Sequence, residues 1–198
     1  MLAMEKAKRK IDRRTLYTLN VIKDAFISLI KQEGYDQITV TELCREAEIT
    51  RSTFYLHYDN LSNVLNAVLD DALMFNTQPG RLPTDDSPIS VDYLKENESQ
   101  LAACQRVADS EKYHDLLMDP TLSDYIVGRI ITHEHDRMVP AIQKRTGLPI
   151  QDAEKIFIYT VHGSFAINKM NKFIKNETWY HDLQILNRFI QGGYRSLE

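Results

Sequence analysis

The residues best suited to chemistry lie close together: Thr50, Arg51, Ser52, Thr53, Tyr55 and His57. They are short hydroxyls, a forked guanidinium and rings with polar tips. Such groups donate to phosphate oxygens and reach base edges without long flexible stems. Thr39 and Thr41 stand a few residues upstream, and Arg13 and Arg14 near the N-terminus. Nothing comparable suggests catalysis. The seven glycines are scattered, so no loop cradles a phosphate and no dinucleotide fingerprint appears. No Gly-x-Ser-x-Gly elbow occurs. The acidic pairs Asp70-Asp71 and Asp85-Asp86 are sequence neighbours, unlike the opposed carboxylates of glycoside hydrolases. We expect no enzyme, no cofactor and no metal. In His133-Glu134-His135 the two imidazoles are two residues apart, and on a helix they diverge rather than share an ion.

Positioning the polar cluster requires short, well-capped helices. Apolar residues Leu16, Leu19, Ile22, Phe26, Leu29 and Ile30 recur at helical spacing over 12–33, and Gly34 offers a stop. Thr39 and Glu42 form a capping box before Leu43 and Ala47. Thr50 caps a second short helix over 51–57, and a longer one starts near Asn60. This is a helix-turn-helix pattern. Ile38, Val40, Leu43, Ala47, Ile49 and Phe54 supply a core with Phe26 and Leu29, Tyr58 turns inward, and Arg51, Tyr55 and His57 face outward.

The stretch Ile38-Thr39-Val40-Thr41-Glu42-Leu43-Cys44-Arg45-Glu46-Ala47-Glu48-Ile49-Thr50-Arg51-Ser52-Thr53-Phe54-Tyr55-Leu56-His57-Tyr58 resembles the signature of the tetracycline-repressor (TetR) family. Thr-Phe-Tyr-Leu-His-Tyr is its most specific part, and the resemblance covers about residues 12–72. It implies an all-α fold, with a three-helix DNA-binding domain (1–58, including the basic arm) and a C-terminal helical bundle (59–198) for sensing and dimerisation through the last two long helices. The implied DNA contacts are Arg13, Arg14, Thr39, Thr41, Thr50, Arg51, Ser52, Thr53, Tyr55 and His57. Two positions depart from the pattern. Glu48 stands where the family usually has glycine, and Asn60-Leu61-Ser62 replaces a neighbourhood that often holds a phosphate-binding lysine. That shifts operator affinity toward the arm.

The formal net charge of −4 conceals this arm, in which Lys6, Lys8, Arg9, Lys10, Arg13 and Arg14 face only Asp12. Two readings of it stay open, a phosphate clamp and a solvated terminus. No apolar run reaches the about 18 residues of a membrane helix, and no hydrophobic stretch follows the first charges. We therefore expect a cytoplasmic protein with no membrane contact. Cys44 and Cys104 read as buried thiols. The stretch 76–88 reads as a linker, and helices are expected over 89–110, 121–144, 151–175 and 179–190. Apolar residues around much of 151–175, with Leu183, Leu186, Phe189 and Ile190, point to a homodimer interface with Phe165 and Phe189 in it, the alternative being an ordinary monomer core. Tyr125, Arg129, His133, His162 and Asn168 are polar groups on apolar stripes. They are the candidates for binding a small-molecule effector, the alternative being satisfied core residues. The expected function is a ligand-responsive regulator of repressor type in the family's terms, binding palindromic double-stranded operator DNA. The alternative is a DNA-binding regulator or activator controlled by a protein partner.

Overall fold

The computed structural model describes residues 13–76, 92, 95, 101–108 and 111–198. Lys6, Lys8, Arg9 and Lys10 of the basic arm, and the expected linker beyond Asn76, lie outside those residues. Eight α-helices and no strand occur among the described residues. They are α1 (Arg13–Glu33), α2 (Val40–Glu46), α3 (Arg51–Tyr55), α4 (Leu61–Ala72), α5 (His114–Met118), α6 (Ser123–Thr146), α7 (Ile150–Met170) and α8 (Glu177–Arg195).

The first helix buries Ile22, Ala25, Phe26, Leu29 and Ile30 along one stripe. It stops at Gly34, whose positive φ of 79° suits a residue without Cβ. The expected helix-turn-helix core forms as read. Phe26, Leu29, Ile38, Leu43, Ala47, Phe54 and Tyr58 are buried in one cluster, with Val40 and Ile49 half-buried against it. The same cluster continues through Val64, Leu65, Val68 and Leu69 of α4 into Leu116, Ile126, Ile130, Phe157 and Val161 of the C-terminal helices. Each fully buried side chain of this kind contributes about 1.5–3 kcal/mol.

Three expectations need correction. A helix over 89–110 largely falls outside the described residues. Asp92 and Lys95 are helical, but 101–108 form a 3-10 turn (Ala103–Gln105) within an otherwise irregular segment. Tertiary bonds replace helical ones there: Ala108 N–H donates to the Ala72 carbonyl (2.9 Å), and the Cys104 carbonyl accepts from Asn168 Nδ2. The buried Arg106 guanidinium donates from Nε to the Leu73 carbonyl (2.8 Å) and stands 3.7 Å from Glu134. The helix expected over 151–175 ends at Met170, because Lys172 and Phe173 both adopt φ 53°. That turn folds buried Phe173 onto Phe165, with ring centroids 5.5 Å apart. Finally, α8 does not close before Gly192-Gly193 but runs to Arg195. Contacts beyond the glycines hold it: Tyr194 is buried, Arg145 lies 5.1 Å over its ring, and Arg145 Nε donates to Glu198 (3.2 Å).

Candidate nucleic-acid interface

The outward helix-turn-helix surface is built from local bonds. Thr39 and Glu42 make the full capping box: Thr39 N–H donates to Glu42 Oε2 (3.0 Å), and Glu42 N–H donates to Thr39 Oγ1 (3.2 Å). These bonds hold the Glu42 carboxyl below its ordinary pKa, the Thr39 hydroxyl contributing most. Its negative charge is thereby spent on the cap. The turn then passes through Glu48 at φ 52°, the left-handed conformation that glycine would adopt without a Cβ clash. Thr50 caps α3 by accepting from Thr53 N–H (3.1 Å).

Arg51 opens α3, exposed, and its guanidinium donates to Thr41 Oγ1 across the turn. Thr41, Thr50, Arg51 and Ser52 thus lie together on one exposed surface, with Thr53 half-buried beside its cap. Tyr55 is 56% exposed, its ring edge-on to buried Phe54 at 5.2 Å. His57 is half-buried just past the helix end, and Tyr58 packs inward on Phe54 (6.2 Å). Glu46 is drawn toward α1 by Ser28 Oγ (2.9 Å). Arg13 and Arg14 are exposed at the start of α1. Two exposed residues escaped the sequence reading. Tyr17, 72% exposed, lies one turn beyond Arg13 and Arg14, and Leu56, 79% exposed, sits between Tyr55 and His57. An aromatic on the polar side of α1 was the available signal for the first. Leu56 offered none.

The C-terminal candidates divide. Tyr125, Arg129 and His133 share one face of α6 and meet α4 and the turn after it. Tyr125 Oη donates to Asn66 Oδ1 (2.6 Å), Arg129 pairs with Asp70, and the His133 ring stacks on Phe75 with centroids 3.9 Å apart. With Asp124, Gly128 and Thr132 they line a cleft of about 640 Å³. His162 and Asn168 are not in that lining. His162 is exposed on α7. Asn168 is buried with both side-chain polar atoms bonded, Oδ1 accepting from Trp179 Nε1 (2.8 Å) and Nδ2 donating to the Cys104 carbonyl. His133 and His135 diverge as expected, His135 reaching Asp136 (3.0 Å) and Glu154 (3.3 Å). Both cysteines are buried, and burial pushes the Cys104 thiol up to about 12.

One further group ties the two halves. Asp119, between α5 and α6, accepts Tyr35 N–H (3.0 Å) at the exit of α1. It also accepts Thr121 N–H (2.8 Å) and Thr121 Oγ1 (2.6 Å). Burial raises its pKa, but these hydrogen bonds and the Lys169 charge outweigh it, and the net shift is downward.

A short helix with a capped, exposed N-terminus, held over a trihelical core, defines a helix-turn-helix DNA-binding domain. Residues 22–68 match the bacterial regulatory proteins of the tetR family, and this part of the chain is a tetR-family helix-turn-helix domain. Two curated relatives are similar to it. An uncharacterised HTH-type transcriptional regulator, YxbF of Bacillus subtilis, is 34% identical over 63 residues, 31% of this chain and 17% of that protein. The HTH-type dhaKLM operon transcriptional activator DhaS of Lactococcus lactis is 29% identical over 59 residues, 30% of this chain and 32% of that protein. The matched regions thus span about a third or less of either relative. No solved structure matches the chain.

Proposed function

We propose that the protein is a ligand-responsive transcriptional regulator that binds palindromic double-stranded operator DNA as a homodimer. The exposed N-terminal end of α3, with Arg51 beside Thr41, is the observation that carries this reading. Arg13 and Arg14 add phosphate contacts. Residues 1–58 act as the DNA-binding unit and 59–198 as the sensing and dimerisation unit, in the cytoplasm, where the operator is. Among the described residues no helix is long and apolar enough to cross a membrane.

The dimer reading rests on the outer side of α7 and α8. Ile158, Tyr159, Met170, Ile185 and Phe189 are large apolar residues left exposed there. Phe165 does not belong with them: it is 4% exposed and packs inside its own subunit. A C2 dimer must hold two recognition helices about 34–36 Å apart to enter successive major grooves. An effector acts by favouring a different spacing, and emptying a nearly full operator requires about 5.5 kcal/mol of differential affinity. The sign of regulation has two readings, repression and activation, and the name of the DhaS relative favours keeping the second.

Selection from random double-stranded oligonucleotides tests the reading. The expected result is a palindrome with half-sites one helical turn apart, bound by a dimer in sedimentation at micromolar concentration. Phe189→Asp should give monomers that lose most operator affinity. Absence of any preferred sequence overturns the reading.

A further inference from the structure

We infer that the cleft along α6, beside the Arg129–Asp70 tie to α4, is the effector site and that it takes an organic carboxylate, which exchanges with Asp70 for the Arg129 guanidinium. This rests on the ligand-responsive reading above and gives that ligand a chemistry. The cleft, about 640 Å³, falls within the range of about 300–1,000 Å³ typical of small-molecule sites. His133, stacked flat on Phe75, and Tyr125 give it aromatic walls. Among its described lining residues Arg129 is the one guanidinium or ammonium. That fork is partly spent. It reaches Asp70, yet its Nε is buried and has no hydrogen-bond partner among the described residues. Once Asp70 is displaced, the planar guanidinium suits an incoming carboxylate bidentately. Asp70 already shows that a carboxylate fits there. Asp124 also lines the cleft but belongs to the exposed first turn of α6, where the helix dipole favours its charge without a ligand.

The exchange has a mechanical consequence. Asp70 and Asn66 belong to α4, whose cap, Asn60, follows Tyr58 of the helix-turn-helix by two residues. Arg129–Asp70 and Tyr125–Asn66 fasten that helix to α6. A carboxylate that captures Arg129 unfastens one of these ties, and the recognition helix moves with α4.

Calorimetry on the full chain tests this with sodium benzoate, neutral benzyl alcohol and cationic benzylamine at matched ionic strength. Benzoate should bind and should lower operator affinity, while the other two do neither. Arg129→Gln should weaken benzoate at least about tenfold, and Arg129→Lys, which keeps charge but loses the fork, nearly as much. Asp70→Asn, which removes the competitor, should tighten it about threefold. Thermal melts confirm that each variant folds. No benzoate binding, a preference for benzylamine, or unchanged affinity in Arg129→Gln overturns the inference. If untreated protein binds no operator, the regulatory reading fails while the benzoate result still decides the chemistry of the cleft.

Discussion

The helix-turn-helix and the C-terminal half use the same kinds of polar side chain to opposite ends. In the first, Thr39 bonds Glu42 and Thr50 bonds Thr53, each three residues away. Arg51 reaches Thr41, ten residues off, and stays exposed. In the second, Arg106 meets Leu73 across 33 residues, Tyr125 meets Asn66 across 59, and Asn168 meets Cys104 across 64. The first surface satisfies itself locally and leaves its donors facing outward, ready for a partner. In the second, these three donors hold distant parts of the chain together. The lesson is that a polar residue on an apolar stripe is not by itself a binding group: Asn168 is a strut.

Two arginines give the sharpest way to break this contrast. Arg106→Ala removes a buried cation facing Glu134 and should cost about 3–5 kcal/mol of unfolding free energy, measured by urea denaturation. Arg51→Ala should change stability by no more than about 0.5 kcal/mol. Its effect should instead appear in binding, as a loss of about 1–3 kcal/mol and relaxed preference at one position of each half-site. If Arg51→Ala weakens binding to every singly substituted operator equally, Arg51 touches phosphate rather than a base. If Arg106→Ala is as mild as Arg51→Ala in the melt, the contrast itself is wrong.

Asp119 sits where the two regimes meet, and pH reads it. A carboxyl whose folded pKa is depressed contributes stability that is present above its unfolded value of about 3.9 and lost as pH falls through the folded value. Asp119→Asn should therefore cost about 1.5–3 kcal/mol near pH 7, by loss of charge-assisted bonds to Tyr35 and Thr121. The gap between variant and wild type should close below about pH 4. A gap that stays constant from pH 7 to pH 3 would show that the charge at this position contributes nothing. Smaller still, Thr50→Ala should cost about 1 kcal/mol through loss of one cap. Far-ultraviolet melts together with operator titration would show whether that loss stays within α3.

The same contrast explains what was legible in the sequence. The Thr39–Glu42 capping box, the Thr50 cap, the stop at Gly34 and the core of Phe26, Leu43 and Phe54 follow from periodicity and near-neighbour chemistry. The caps and the stop have causes within a few residues, and the core follows from the apolar stripe each helix carries. The end of α7 at Met170 and the run of α8 through Gly192-Gly193 differ from the sequence reading, because Phe173 packing back on Phe165 and Arg145 stacking on Tyr194 are packing contacts that helical periodicity does not encode. The candidate cleft was half legible. Helical spacing placed Tyr125, Arg129 and His133 on one face, but no pattern in the chain announced that Asn66, Asp70 and Phe75 would meet them. Phe165 was misplaced for a related reason: an apolar helix does not declare which of its sides stays inside the subunit.

The smallest expected effect concerns the turn itself, and it tests how far local chemistry governs this half. Glu48 holds φ 52° with a Cβ present, a conformation that costs a non-glycine residue about 1–2 kcal/mol. Glycine removes that cost but brings about 0.5–1 kcal/mol of additional backbone entropy to the unfolded chain. Glu48→Gly should therefore stabilise by about 0.5 kcal/mol, a rise in Tm of about 1–2 °C for a chain of this size. Glu48→Ala keeps the Cβ and the strain, so it should not reproduce the gain. Because Glu48 is exposed, its carboxylate has no packing role to confuse the comparison. If alanine stabilises as much as glycine, the removed charge rather than the relieved backbone is responsible, and the gain should then shrink in high salt. A loss of stability in Glu48→Gly would mean that the glutamate makes a contact worth more than the strain it imposes.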